Sequence, residues 1–462
     1  MKKLLLTIAL LTGISAFAQN PIIKGIYSAD PTARVFNGKI YVYPSHDIPA
    51  PDDFDRKDWF CMADYHVYTT DNMIDYKDLG KILDQKDVAW GNPKSYSMWA
   101  PDCIEKDGKY YFFFPANVKN GMGFGVGVAV ADKPEGPFVP RETNIEGISG
   151  IDPSVIKGLD GKWYIYWGGG GLMCAQIKDD FSALDPSVPV KEVTFGDRTL
   201  KRVGVDVAAS LPEGFKEGPF AFTRNGKYYL TYPWVRGKAG DPGPDGKPLD
   251  NHTETLAYAM SDSPYGPFEY KGLIMKESPT YCWTNHHSIV EYDGQFYLFY
   301  HHNDYSPKFD KNRSVRCDSL FFNEDGTIRE VIPTLRGVGV TPATRQIELD
   351  RYTSISGATI DYHDIDNPFE GWKTIFAKKG DCVKYNTVDF GNGVKSVTVR
   401  CNVANNATLT IAADGVKIAT VTLKGMGLWS EQTFKVSSKV KGIHHLTCTL
   451  DAGAAEVDWI KF

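Results

Sequence analysis

Three acidic residues and one histidine stand at matching places before a repeated glycine turn. Asp30 lies eight residues before Gly38 in SADPTARVF, Asp152 nine before Gly161 in GIDPSVI, and Glu217 nine before Gly226 in FKEGPFAF. His286, in NHHSIVEY, lies eight before Gly294, and the second copy carries Trp99-Ala100-Pro101-Asp102 in the corresponding stretch. Carboxyl groups crowded together repel one another and cost free energy unless their ionisation is tuned. One protonated carboxylic acid beside one carboxylate can protonate a leaving oxygen and activate a water, the two tasks that cleavage of a glycosidic bond requires. A third nearby charge separates the two pKa values. Asp before Pro also starts turns, but turn chemistry alone does not place three acids in register across three copies of one motif.

The elements that position these residues are hairpins. Asn37-Gly38-Lys39 precedes IYVYP, Asp107-Gly108-Lys109 precedes YYFFF, and Asp160-Gly161-Lys162 precedes WYIYW. Asn225-Gly226-Lys227 precedes YYLTY, and Asp293-Gly294-Gln295 precedes FYLFY. Asn-Gly and Asp-Gly between apolar strands signal type I′ hairpins, because both central residues need positive φ. The five glycines are separated by 70, 53, 65 and 68 residues, each interval room for four short strands. A second echo runs from Ala129-Val130-Ala131-Asp132 to Gly136-Pro137-Phe138, and again from Ala259-Met260-Ser261-Asp262 to Gly266-Pro267-Phe268. Five radial four-stranded sheets make a five-bladed β-propeller; a β-sandwich with fortuitous hairpins is the competing reading. In a propeller the innermost strands surround a channel, so the acids and His286 converge in one funnel.

Composition agrees with an all-β chain. The 462 residues include 25 Phe, 25 Tyr and 10 Trp, with 44 Gly as punctuation. Such a length calls for more than one core. The formal charge of −6 argues against a nucleic-acid partner. Met1 to Ala18, with Lys2-Lys3, an apolar Leu4 to Leu11 and Ala16-Phe17-Ala18, reads as a secretory signal peptide, which predicts a secreted or periplasmic protein. No other segment is long and apolar enough for a membrane span. The eight cysteines contain no C-x-x-C, so buried free thiols are expected, with room for one disulfide. The propeller is expected over residues 19–347. Short strands separated by Gly and Asn turns fill residues 354–462 and predict a β-sandwich of jelly-roll type, with the linker within Thr341 to Ile360.

Asp30-Pro31, Trp99-Ala100-Pro101-Asp102, Ile151-Asp152-Pro153-Ser154 and Glu217-Gly218-Pro219, set among five hairpin repeats, resemble glycoside hydrolase family 43. The resemblance covers roughly residues 20 to 345. It implies a five-bladed propeller that acts by inversion on arabinose- and xylose-containing polysaccharides. It also implies Asp30 as general base, Glu217 as general acid, and Asp152 as the residue that tunes and orients the acid. Invertase-type propellers carry their acid in a Glu-Cys motif, whereas Gly218 follows Glu217 here. Residues 354–462, ending in VDWIKF, are similar to a family 6 carbohydrate-binding module, although SISGATI lacks the paired acids that usually hold calcium near that module's start. From the same resemblance His286 is the expected ligand of one calcium or sodium ion in the propeller channel; one imidazole among waters suits a hard cation poorly. No organic cofactor is expected. Arg313 matches an Arg that reaches the substrate pocket.

Other residues have two readings each. Trp99 either stacks on a sugar ring or packs between blades. His46 and Asp47, at the end of the first hairpin strand, are expected to line the pocket as substrate contacts. Gly168 to Gly171 implies close backbone packing, since no nucleotide-loop Lys or helix follows. Trp429 is either a sugar platform or core. The resulting expectation is an exo-acting glycosidase on arabinoxylan-type hemicellulose of the plant cell wall, α-L-arabinofuranosidase favoured over β-xylosidase. An endo-acting arabinanase or xylanase is one alternative. The alternative from another class is a propeller lectin, which would not need three crowded acids.

Overall fold

The computed structural model describes residues 19–119, 123–195, 198–237, 240–241, 254–278, 280, 282–437 and 439–462. The leader expected over Met1 to Ala18 lies outside the described residues. Four of the five hairpin turns have the two positive φ values that type I′ demands: Asn37 52° and Gly38 73°, Asp107 54° and Gly108 75°, Asn225 50° and Gly226 73°, Asp293 50° and Gly294 76°. The third turn is longer, closed by a bond of 2.7 Å from the Gly158 N–H to the Lys162 carbonyl.

Antiparallel sheets form in chain order. The first contains β1 (Ala29–Phe36), β2 (Lys39–Asp47), β3 (Met62–Thr70) and β4 (Lys77–Asp84). The second contains β5 (Asp102–Lys106), β6 (Lys109–Asn117), β7 (Phe124–Ala131) and β8 (Val139–Pro140). In the third, β9 (Ile151–Lys157), β10 (Trp163–Gly168) and β11 (Met173–Gln176) precede a separate hairpin of β12 (Val190–Phe195) and β13 (Arg198–Val203); β14 (Val205–Asp206) then completes the sheet. The fourth contains β15 (Phe220–Arg224), β16 (Lys227–Trp234), β17 (Thr255–Ser261) and β18 (Glu269–Met275). The fifth has three strands, not four: β19 (His287–Tyr292), β20 (Gln295–His302) and β21 (Ser314–Leu320). Its fourth place is taken by the start of the chain, where the Ile22 N–H bonds the Val315 carbonyl at 2.9 Å and the Asn20 side chain bonds both N–H and carbonyl of Cys317.

The cores lie between sheets. Tyr43, Tyr65, Phe112 and Phe114 join the first pair, Phe113, Val126, Ile165 and Trp167 the second, and Tyr166, Cys174, Leu230 and Tyr232 the third. Leu256, Tyr258, Leu298 and Tyr300 join the fourth and fifth sheets. Ile40, Val42, Phe299 and Val315 then join the fifth to the first, which closes the ring. This is the five-bladed propeller, with β1, β5, β9, β15 and β19 touching in succession around its axis.

The rest of the chain is a sandwich of two six-stranded sheets around one apolar core. It begins earlier than its sequence texture suggests. Thr341–Pro342 pairs in parallel with the strand Cys382–Asp389, and Ile347–Glu348 pairs with Ala455–Lys461, so the segment expected to hold a linker is built into the sandwich. Ala343, Ile347 and Leu349 are core residues there. The two domains are also in firm contact. Tyr305 stacks on Trp372 at 5.1 Å between ring centroids, Tyr27 meets Phe369 at 4.8 Å, and Gln19 bonds the Tyr385 hydroxyl at 2.8 Å. A chain ending at Gly339 is therefore expected to fold but to unfold about 5 °C or more below the full-length protein, because these rings lose their cover. Thermal unfolding of both forms checks this, and equal midpoints would show that the contact is energetically idle.

Candidate active site

Asp30 and Asp152 are each the second residue of an innermost strand, and each sits in the left-handed region, at φ 47° and 56°. Left-handed geometry is costly for a residue with a Cβ, and persists where the surroundings impose it. Here a local register shift in each hairpin accommodates it. Gly218, also before a Pro, has φ 49° and occupies the same place in the fourth blade. Structurally, then, Gly218 is the equivalent of the two aspartates, and Glu217 reaches the pocket from one residue earlier with a longer side chain. The glycine is required twice over, since a Cβ at Gly218 would lie 2.6 Å from His286 Nδ1. Gly218→Ala is expected to cost about 1–2 kcal/mol from φ alone, and to lower turnover because His286 must shift. Chemical denaturation and kinetics of that variant check both effects.

Asp30, Asp152, Glu217, Trp99, His286 and Arg313 line one pocket of about 510 Å³, together with Trp59, Phe60, Trp283 and Thr284. Arg313, at 2% exposure, uses every donor it has. Nε and Nη2 grip Asp47 in a fork at 2.9 Å each, Nη1 reaches Asp30 Oδ1 and Thr284 Oγ1 at 2.9 Å each, and Nη2 lies 3.3 Å from Asp30 Oδ2. Such saturation makes Arg313 a holder of Asp30, with Asp47 in turn holding Arg313. Neither is free to take up a sugar hydroxyl, as their assignment to substrate contact would require. His46 is outside the pocket, 2.7 Å from Asp64. Asp102, from the second copy, is a strut: it receives Arg34 at 2.6 and 2.7 Å and the Val155 N–H at 2.7 Å.

The electrostatics separate the carboxyls. Burial alone would raise the Asp30 pKa, but Arg313 and the nearby histidines, with a 2.5 Å bond from the Ser45 hydroxyl, bring it below the usual aspartate value. Asp30 is ionised. Its own N–H donates to His301 Nδ1 at 3.0 Å, and His301 Nε2 donates to the Thr284 carbonyl at 3.0 Å, which fixes a neutral tautomer. Glu217 is pushed up to about 7 by burial and by the negative charge of Asp30. Asp152 is raised well above its usual value by burial and by Glu217 and Asp30; its Oδ2 accepts the Gly218 N–H at 3.1 Å. At neutral pH the Glu217 side of the pocket thus holds protons while Asp30 holds none.

Glu254, which carries no motif, completes this arrangement. It is wholly buried just before β17; one oxygen accepts the Asn285 N–H at 3.0 Å, and the other has no hydrogen-bond partner among the described residues. Burial and the Glu217 charge raise the Glu254 pKa well above the usual glutamate value, and the Glu254 carboxyl in turn offsets part of the rise at Glu217. Glu254→Leu is expected to move the alkaline limb of the pH–rate profile upward, readable as kcat/KM against pH.

The rim is aromatic. Trp59 and Trp283 pack at 5.9 Å, Phe60 and Trp283 at 5.6 Å, and Trp99 leans on Phe124 at 4.7 Å. Trp99 is both wall and packing element. The glycine run after β10 has the expected tight fit, with a Cβ at Gly168 falling 3.4 Å from Asp152 Oδ2. Trp429 is half-buried on the sandwich, beside His363 at 4.9 Å. Seven of the eight cysteines are buried thiols and Cys382 is half-buried. His286 is held to a pKa of about 4 by burial and stays neutral, a usable nitrogen ligand. Among the described residues no two further ligand side chains gather with it, so the chain's side chains supply at most a sparse site for a calcium ion, completed by water.

Comparison with known proteins matches residues 18–328 to glycosyl hydrolases family 43 and residues 350–462 to the family 6 carbohydrate-binding module. A "Xylosidase/arabinosidase 43A" of Humicola insolens is 38% identical over 341 residues, covering 67% of this chain and 98% of its own. A "Beta-xylosidase" of Xylanibacter ruminicola is 39% identical over 333 residues, covering 66% of this chain and 97% of its own. Among solved structures, a "GH43 beta-xylosidase/alpha-arabinofuranosidase from a compost microbial metagenome in complex with xylotriose, calcium-free form" is 37% identical with a TM-score of 0.54, covering 68% of this chain and 97% of its own.

Proposed function

The chain belongs to glycosyl hydrolases family 43, and from that premise we propose that it removes terminal arabinofuranosyl or xylosyl units from arabinoxylan-type hemicellulose with inversion. The observation that carries this reading is one pocket holding an ionised Asp30 and a proton-bearing Glu217. Asp30 takes the proton of the attacking water. Glu217 gives its proton to the departing glycosidic oxygen, so the sugar leaves as a neutral alcohol and not as an alkoxide. Asp152 holds the Gly218 N–H and hence the backbone beside Glu217. Arg313 and Asp47 hold the base.

A walled pocket supports exo action, since it accepts a chain end and not the middle of a polymer. The names of the relatives favour xylosides as strongly as arabinofuranosides, so both pentoses are placed in the substrate range. Hydrolysis of a panel of aryl α-L-arabinofuranosides, β-D-xylosides and β-D-galactosides tests this; turnover of the galactoside alone would overturn it. We further propose a secreted or periplasmic location after removal of Met1 to Ala18, testable by N-terminal sequencing of the mature protein. We also propose that the sandwich binds polysaccharide, a reading that its match to the family 6 carbohydrate-binding module supports. A channel calcium, if the protein takes one, is held through His286 and water, and His286→Ala would abolish any calcium dependence of activity.

A further inference from the structure

His46, Asp64 and His66 form a cluster that the proposed reaction does not use. His46 is the last residue but one of β2, and Asp64 and His66 stand two residues apart on the adjacent β3, so strand alternation puts both on one face. Their neighbours face the other way: Ser45 bonds Asp30, Asp47 bonds Arg313, and the Tyr65 hydroxyl bonds the Trp99 carbonyl at 2.6 Å. One donor atom from each of the three side chains lies within 4.8 Å of the others. The side chains are 20%, 16% and 19% exposed, so an ion and its waters can reach them.

We propose that His46, Asp64 and His66 bind a divalent transition ion of the zinc type. Two imidazoles and one carboxylate are the donor set of such an ion, whereas calcium and magnesium take oxygen. Donors around a tetrahedral zinc stand about 3.3 Å apart, given bonds of about 2.0 Å, so the existing cluster closes onto the ion by small side-chain rotations. The hydrogen bond of 2.7 Å between His46 Nδ1 and Asp64 is exchanged for bonds to the metal. His66 Nδ1 is buried without a hydrogen bond, its nearest acid being Asp78 at 3.7 Å. Lys81 lies 3.9 Å from Asp64 but is committed to Asp84 at 2.7 Å, and its side chain is 48% exposed, free to swing away. The strands already fix the ligands, so little ordering is needed. Water fills the remaining positions. The bound ion clamps β2 to β3 behind the wall that carries Asp47 and Tyr65.

The test uses the full-length protein freed of metal with a chelator, titrated calorimetrically with zinc in the presence of excess calcium. One zinc equivalent is expected, weakened more than about tenfold in His66→Ala and in Asp64→Asn and unaffected in His286→Ala. Cobalt bound to the wild-type protein should show visible d–d absorption of a low-symmetry site, a readout that needs no variant to fold. Zinc should also raise the unfolding temperature of the wild type and not of His66→Ala. Unchanged zinc affinity in folded His66→Ala and Asp64→Asn, or no d–d bands with cobalt, overturns the assignment.

Discussion

Glu217→Gln should reduce turnover of arabinoxylan by about 10²–10⁴-fold, the worth of a general acid, while leaving the fold intact. The amide keeps the shape of the side chain but has no proton to give. An aryl glycoside with a leaving group that departs as a stable phenolate should be slowed far less, so the ratio of the two losses identifies the acid. The pH profile gives a second reading. Wild-type kcat/KM should fall as pH rises through about 7, where the raised Glu217 ionises. It should persist on the acid side to below the usual aspartate range, because Asp30 is held ionised there. The alkaline limb should vanish in Glu217→Gln. Equal losses on both substrates, with the limb retained, would assign the acid elsewhere.

Asp30→Asn should be the more general lesion. Water must be deprotonated whatever leaves, so arabinoxylan and aryl glycosides should both lose about 10²–10⁴-fold. The substitution has an electrostatic echo. The Asp30 charge helps to raise Glu217, so its removal should shift the residual alkaline limb to lower pH. Arg313 would keep its fork with Asp47 but lose one carboxylate partner, and some stability with it. Proton NMR of the first-formed sugar should show inversion at the anomeric carbon in the wild type. A retained anomer would remove water activation by Asp30 from the mechanism.

Much of this site was readable from turns and spacing, because those features are local. Asn-Gly and Asp-Gly need positive φ wherever they fall, and five of them at blade-sized intervals leave few architectures. Asp30, Asp152 and Glu217 stood out because each precedes a hairpin glycine by a similar count. What stayed hidden depends on distant partners. Arg313 reads as a substrate contact until the ring shows its five N–H donors spent on Asp30, Asp47 and Thr284. Glu254 has no motif, and its effect comes from burial beside Glu217. Trp59 lies in the loop between β2 and β3 and shows no periodicity, whereas Trp283 stands only three residues before His286. Glu217 aligns with Asp152 by distance to the turn, but the third turn is longer, and the shared left-handed residue is Gly218. The sandwich boundary was missed because Thr341–Pro342 and Ile347–Glu348 are too short to show alternation.

The salt bridge between Asp30 and Arg313 joins residues 283 apart in the chain. During synthesis the first blade emerges long before the last, and the aspartate waits without its guanidinium until almost three hundred further residues have left the ribosome. Without the last blade Asp30 has neither the Arg313 guanidinium that favours its ionised form nor the His301 ring that its N–H bonds. Hydrolytic competence therefore arrives with the closing blade. A chain that lacks the fifth blade lacks Arg313, and with it the fork that ties Asp30 to Asp47.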